Sequence, residues 1–177
     1  MVYDSIAATA LQFSQNTCVI NGFSKHFCRP GARLGGFIVP DHKVREAEII
    51  AQNIFICAPT LSQYGALEAF DQDYLQQIRQ QFTERRDFLY HELSQLFEVE
   101  FKPQGAFYIW ANVSRYTDNS FDFAKKMLAE IQVACAPGID FGQNNTQHYL
   151  RFAYTRDIEH MREGIERLKV WLASAID

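Results

Sequence analysis

Apolar residues at helical spacing predict amphipathic helices in the second half of the chain. The clearest pattern covers residues 71–97, where the charged residues lie largely away from the apolar stripe. A second helix is predicted from about Asp157 to Ala175, and a third is capped near Ser120 within residues 114–136. Each is expected to bury one face. The stripe of the first helix comprises Leu75, Ile78, Phe82, Leu89, Leu93 and Leu96.

Two shorter helices are predicted before these. Charged residues and alanines favour a helix from about Val44 to Asn53, and Pro59 then interrupts the pattern. Thr60 can cap a further helix that runs to Phe70. As plain structure, both are ordinary packing helices.

Short apolar or alternating runs predict strands between the helices. The apolar run of residues 18–20 is short enough for a buried strand. A second apolar run, residues 34–39, is expected to return the chain toward the interior. Residues 98–113 predict a hairpin-like pair, residues 133–136 a short strand, and residues 149–154 a strand with alternating sides. Strands interleaved with helices in this way indicate an α/β fold.

Composition narrows the classes of function. The 177 residues are 47 % hydrophobic and 14 % aromatic, which argues against disorder, and the net charge of −4 without a basic block argues against nucleic acid as a partner. No signal peptide or membrane-spanning stretch is recognisable, so a cytoplasmic protein is expected. Five scattered histidines predict no metal site. Four cysteines without a CxxC pair predict free, buried thiols: Cys18, Cys28, Cys57 and Cys135.

A lysine and an arginine stand where the first two predicted strands meet. Lys25 lies in a turn of small residues after the first strand, and Arg33 follows eight residues later. A desolvated amine beside another cation becomes a nucleophile toward carbonyls, and an arginine suits a phosphate dianion. An aldehyde cofactor with a phosphate, pyridoxal 5′-phosphate (PLP), would use both groups. The plainer interpretation is a solvated lysine and a surface arginine.

The surrounding motif favours the cofactor. Residues 22–25, Gly-Phe-Ser-Lys, followed by residues 31–35, Gly-Ala-Arg-Leu-Gly, closely resemble the PLP-attachment motif of class I/II aminotransferases. The resemblance implies that Lys25 binds PLP covalently and that Arg33 grips the cofactor phosphate.

The motif also departs from the family's usual pattern. Cys28 and Arg29 stand where small or apolar residues are usual, and Ala32 stands where an aromatic residue is common. Gly22 occupies the place of a serine that binds phosphate in many members. These changes bear on phosphate affinity and local packing.

A second arginine lies in the last predicted strand. Arg151 is flanked by aromatic and small residues, and an arginine on such a face usually meets an anion. Asp140 or Glu130 could be a partner within the chain. The resemblance instead implies that Arg151 binds the substrate α-carboxylate. Residues 102–108 and 137–142 also resemble family segments that lie beside the substrate, although the former could simply be a turn into a core strand.

The resemblance covers nearly the whole chain and implies the carboxy-terminal half of a class I/II aminotransferase. Residues 1–70 would be a remnant of the PLP-binding large domain, with an incomplete sheet, and residues 71–177 an α+β small domain with a long connecting helix. The implied reaction transfers an amino group from an amino acid to a 2-oxo acid, in a homodimer. No counterpart of the family's aspartate for the pyridine nitrogen is found, so the chain alone is expected to be weak or inactive. A non-catalytic remnant or assembly module, or a PLP-dependent lyase, are the alternatives.

Overall fold

The computed structural model describes residues 2–3 and 7–174. It divides into two units, Met1–Arg79 and Gln80–Asp177, and both contain helices and strands, which confirms the α/β class. The domain boundary predicted near residue 70 stays a prediction. The predicted end of the last helix, Ala175, lies outside the described residues.

The first unit contains a two-stranded antiparallel sheet and two helices. Strand β1 (Val19–Gly22) pairs with β2 (Gly35–Ile38), so that Val19 lies opposite Ile38 and Gly22 opposite Gly35. Helix α1 is Val44–Ile54, close to the prediction. Helix α2 is Thr60–Leu67, a 3₁₀ turn continues it to Phe70, and Pro59 rather than Thr60 takes the capping position.

The predicted burial of the first two strands is wrong. Ile20 is 84 % exposed, and its cross-strand neighbour Phe37 is 53 % exposed. Helix α1 likewise has no buried residue. The reason is architectural, since two strands cannot enclose a core and the described part of this unit supplies no layer that covers these side chains.

The second unit has a buried core. Strand β5 (Tyr149–Ala153) lies between β3 (Tyr108–Asn112) and β4 (Ala136–Pro137), with both neighbours antiparallel. Helices α4 (Ser120–Ile131) and α5 (Ile158–Ser174) belong to this unit, and helix α3 (Gln72–Leu96) runs through the division between the units. The fully buried side chains include Leu93, Ile109, Met127, Leu150, Tyr154 and Leu168.

Aromatic contacts join the layers of the second unit. Phe97, directly after α3, stacks on Phe152 of β5 with ring centroids 5.9 Å apart. Phe123 of α4 contacts Trp171 of α5 at 5.1 Å, and the Trp171 indole N–H donates to Glu130 at 2.6 Å. Most residues of the apolar stripes predicted for these helices are buried or half-buried, but Leu128 of α4 is 52 % exposed.

The predicted hairpin-like pair within residues 98–113 is wrong. Strand β3 pairs with β5, and only an isolated bridge joins Glu98 to Asn112. The preference of residues 108–112 for a strand was readable from their composition, but the choice of partner depends on a segment some 40 residues away. Helix α4 is capped by Asn119, whose side chain accepts from the backbone N–H groups of Phe121 and Asp122.

The loop before β5 requires glycine at position 138. Gly138 is buried, and a Cβ atom there would clash with the carbonyl oxygen of Thr146 and approach that of Tyr149 to 2.7 Å. Its backbone angle φ is not positive. The requirement is therefore space rather than a left-handed conformation.

Leu93→Ala should lower the free energy of unfolding of the second unit by about 2–5 kcal/mol, because it leaves a cavity at a fully buried position. Urea denaturation followed by circular dichroism measures this. The control is Leu128→Ala in α4, where the side chain is 52 % exposed and the cost should be small. Equal losses in the two variants would contradict the described core.

Gly138→Ala should cost about 1–3 kcal/mol or more, because the added methyl group meets two backbone carbonyls that a rotamer change cannot relieve. In the control Gly164→Ala, the new Cβ meets only Val133 at an ordinary 3.9 Å within helix α5. That change should be neutral or stabilise by up to about 1 kcal/mol. Thermal unfolding of both variants tests the contrast.

Candidate active site

Lys25 and Arg33 both lie in the connection between paired strands. Strand β1 ends at Gly22, β2 begins at Gly35, and these two glycines face each other. The Phe23 N–H donates to the Leu34 carbonyl at 3.0 Å, which extends the pairing by one step into the connection. The two cations therefore belong to the same end of the sheet, as predicted.

Backbone hydrogen bonds give this connection a defined shape. The N–H of Cys28 donates to the Lys25 carbonyl at 3.1 Å, and the N–H of Arg29 donates to the Phe23 carbonyl at 3.0 Å. A 3₁₀ turn over Pro30–Ala32 follows, and Arg33 ends it in the left-handed conformation with φ of 46°. Non-glycine residues rarely adopt this conformation, and it sets the direction in which the Arg33 side chain leaves the backbone.

An aromatic cluster anchors the connection to the rest of the first unit. Phe27 is buried and stacks on Phe23 at 4.7 Å, and Phe70 contacts both rings at 5.2 and 5.7 Å. The Tyr74 hydroxyl donates to the Phe27 carbonyl at 3.3 Å, and the Arg29 guanidinium lies 5.1 Å from the centre of the Tyr74 ring. Arg29, unusual for the motif, thus packs on an aromatic ring.

The charged and titratable side chains of the connection differ in burial and in hydrogen bonding. Lys25 and Arg33 are exposed, so the described residues of this unit do not form the desolvated pocket that was expected around the lysine. One guanidinium N–H of Arg33 donates to the Pro30 carbonyl at 3.1 Å, and no described carboxylate lies within 4.0 Å of it. Burial, followed by positive charge that includes Arg79, lowers the pKa of His26, so this neighbour of Lys25 is neutral at pH 7.

Arg151 lies in β5, in the second unit. It is opposite Trp110 of β3 and Ala136 of β4, and the strand's burial alternates as predicted, with Leu150 and Phe152 buried. Among the described residues no carboxylate lies within 4.0 Å of Arg151, so the ion pair with Asp140 or Glu130 that the sequence left open is not formed.

The sequence interpretation missed the rings around Arg151. The guanidinium carbon lies over the rings of Tyr108 and Phe141, at 4.0 Å from each ring centroid. Trp110 stacks on Tyr149 at 5.3 Å and contacts Phe141 at 5.8 Å. The alternation of β3 would have placed Tyr108 and Trp110 on one face, but the pairing of β3 with β5 was needed to bring that face to Arg151.

Residues 2–3 and 7–174 contain no group of three or more His, Cys, Asp or Glu side chains that could hold a metal ion. No described helix is long and apolar enough to cross a membrane. The four cysteines, all within the described residues, form no disulfide, but Cys18 and Cys57 are exposed, which corrects the prediction of buried thiols. Burial raises the pKa of Cys135 to about 12.

Comparison with known proteins places these features in a family. Residues 1–168 match the family described as aminotransferase class I and II. The chain is 36 % identical to a (5-formylfuran-3-yl)methyl phosphate transaminase of Methanocaldococcus jannaschii, covering 97 % of this chain and 47 % of that protein. It is 33 % identical to a valine–pyruvate aminotransferase of Mycobacterium tuberculosis, covering 98 % of this chain and 46 % of the relative.

A solved structure agrees with the sequence relatives. The crystal structure of an aminotransferase from Mycobacterium tuberculosis superposes with a TM-score of 0.88 at 33 % identity, over 98 % of this chain and 46 % of that one. The chain thus spans about half the length of the relatives it matches. By the match over residues 1–168, the chain belongs to the aminotransferase class I and II family.

Proposed function

We propose that the chain carries the lysine and the two arginines of a PLP-dependent aminotransferase, which moves an amino group from an amino acid to a 2-oxo acid. The observation that carries the proposal is the β1–β2 connection, which presents Lys25 and Arg33 at the same end of a paired sheet. Family membership supports the reaction class. The relatives bear different substrate names, so the proposal extends to the class of substrate only.

The residues of the connection fit PLP. Lys25 offers an exposed primary amine, the group that can bond to the cofactor aldehyde. The Arg33 guanidinium uses one described hydrogen bond, to a backbone carbonyl, and has further N–H donors for a phosphate. Gly22 leaves space, since no atom lies within 4 Å of where its Cβ would be.

Each residue has a separate role in this proposal. Bound PLP supplies the electron sink that makes the substrate Cα proton acidic. The Lys25 amine would hold the cofactor and, once displaced by the amino acid, would act as the base that moves the substrate Cα proton. Arg33 would hold the phosphate and so keep the cofactor in place while the Lys25 amine is not bonded to it. Arg151 holds the α-carboxylate and so orients the substrate.

We expect this length of chain by itself to be weakly active or inactive. Lys25 and Arg33 are exposed in the first unit, and catalysis of this kind gains from a pocket that excludes water. The relatives are about twice as long as this chain. Turnover of several amino donors at the rate of a full-length relative would contradict this expectation.

The exposed apolar side chains favour a second candidate, a non-catalytic assembly module. In this alternative the motif remains without chemistry, and the first unit serves to bind protein. Whether PLP binds through Lys25 separates the two functions, and a PLP-dependent lyase would bind the cofactor but release a different product.

The cofactor proposal predicts a visible absorbance band after PLP is added and the protein is desalted. Lys25→Ala should lose the band, and borohydride should fix it in the unaltered chain. Lys43→Ala is the matched control, because Lys43 is another partly exposed lysine of the same unit and pairs with Glu46.

Arg33→Gln should keep the band but weaken PLP binding about 10- to 100-fold, from the loss of charge-assisted hydrogen bonds. A band of equal intensity in Lys25→Ala would favour the module.

We also propose that the protein is a cytoplasmic homodimer, and that the exposed cross-strand pair Ile20 and Phe37 lies in the dimer contact. Sedimentation should then give twice the chain mass of 20.5 kDa. Ile20→Lys should shift the protein toward monomer, because a symmetric contact brings like charges together. Val170→Lys, at a 72 % exposed position in α5, should not. A monomeric unaltered chain would refute the proposal.

A further inference from the structure

The arginine that the proposed function assigns to the substrate carboxylate lies over two aromatic rings. The guanidinium carbon of Arg151 lies over Tyr108 and over Phe141, with both ring centroids at 4.0 Å. Either contact alone is within the range of a cation–π interaction. Two such contacts restrict the guanidinium more than one does, and no described carboxylate lies within 4.0 Å of it.

The two rings are themselves fixed by independent parts of the second unit. Tyr108 is the first residue of β3 and pairs in register with Ala153, one side-chain step along β5 from Arg151. Phe141 ends the 3₁₀ turn Gly138–Phe141, and Trp110 meets its ring edge-on at 5.8 Å. The arginine is therefore held by ladder pairing on one side and by a packed loop on the other.

We propose that Tyr108 and Phe141 are positioning residues, which order the Arg151 guanidinium so that its in-plane N–H donors are preset for a carboxylate. This inference rests on the proposed function, because it assumes that Arg151 binds the substrate. An arginine side chain loses much rotational freedom when it is ordered, and a side chain that is already ordered loses less on binding. Bidentate binding of a carboxylate uses the N–H edge of the guanidinium.

Arg151 is better placed for this role than the other cations near rings in this unit. Arg162 lies 4.9 Å from the Phe88 ring, Arg85 5.2 Å from Phe82 and Lys125 5.4 Å from Phe121. Each has a longer distance than the 4.0 Å at Arg151. Arg151 also lies over two rings at this distance, Tyr108 and Phe141.

The test follows the Arg151 Nε–H signal by nuclear magnetic resonance in the ¹⁵N-labelled full chain, with Arg151→Lys to assign it. Heteronuclear relaxation should show an ordered side chain in the unaltered protein. Tyr108→Leu and Phe141→Leu should each make it mobile, whereas Tyr108→Phe, which keeps the ring, should not. Phe121→Leu removes a different exposed ring of this unit and is the matched control. Backbone amide spectra identify any variant that does not fold.

The second measurement titrates the same proteins with 3-phenylpropanoate, and with the neutral 3-phenylpropanamide as control ligand. The carboxylate should shift the Arg151 signal and the amide should not. Tyr108→Leu and Phe141→Leu should weaken binding about 3- to 30-fold, the range expected from one lost cation–π contact, while Tyr108→Phe and Phe121→Leu stay near the unaltered chain.

The outcomes separate the positioning role from the proposed function. If carboxylate affinity depends on Arg151 but is unchanged in Tyr108→Leu and Phe141→Leu, the positioning role is refuted and the binding role of Arg151 stands. If Arg151 is ordered but binds no carboxylate, its assigned role in the proposed function is refuted. The proposal that the two rings position Arg151 for a substrate is then refuted as well. If the Arg151 side chain is mobile in the unaltered chain, the proposal that the two rings order it is refuted, whatever the affinity for the carboxylate.

Discussion

The central place of strand β5 is the constraint on which the second unit depends. Because β5 has a partner on each side, its backbone is paired on both edges and its side chains must alternate between two faces. One face puts Leu150 and Phe152 into the core, and the other presents Arg151. Hydrogen bonds from Val113 to the His148 carbonyl and from Tyr154 to the Phe107 carbonyl extend the pairing beyond both ends of the strand. A shift of one residue in register would bury the arginine and expose the core residues.

The pairing of β5 links the stability of the second unit to the surroundings of Arg151. Phe97 packs on Phe152 of β5, and β5 in turn fixes the neighbours of Arg151 across the strands. The loop that carries Phe141 reaches this face because Gly138 allows its backbone to pass close to the segment before β5. Packing on one face of the sheet therefore determines which aromatic rings meet the cation on the other.

The first unit is organised differently. Its sheet has two strands and exposes large apolar side chains, yet the connection that carries Lys25 and Arg33 has its own hydrogen bonds and an aromatic anchor of Phe23, Phe27 and Phe70. The local geometry of the motif therefore does not require that the sheet be covered. The exposed sheet does not shield Lys25 from solvent. The relatives are about twice as long as this chain.

The sequence by itself determined the features that depend on neighbouring residues: the stripes of α3, α4 and α5, the alternation of β5, and the motif around Lys25 that indicated the family. Helical and strand periodicities are local properties, so they survive without knowledge of the partner. Only the tertiary structure decided that β3 pairs with β5, that Ile20 and Phe37 remain exposed, and that Arg151 lies over two rings. Each of these depends on contacts between segments distant in the chain, and no spacing pattern within one segment encodes which distant segment will pack against it.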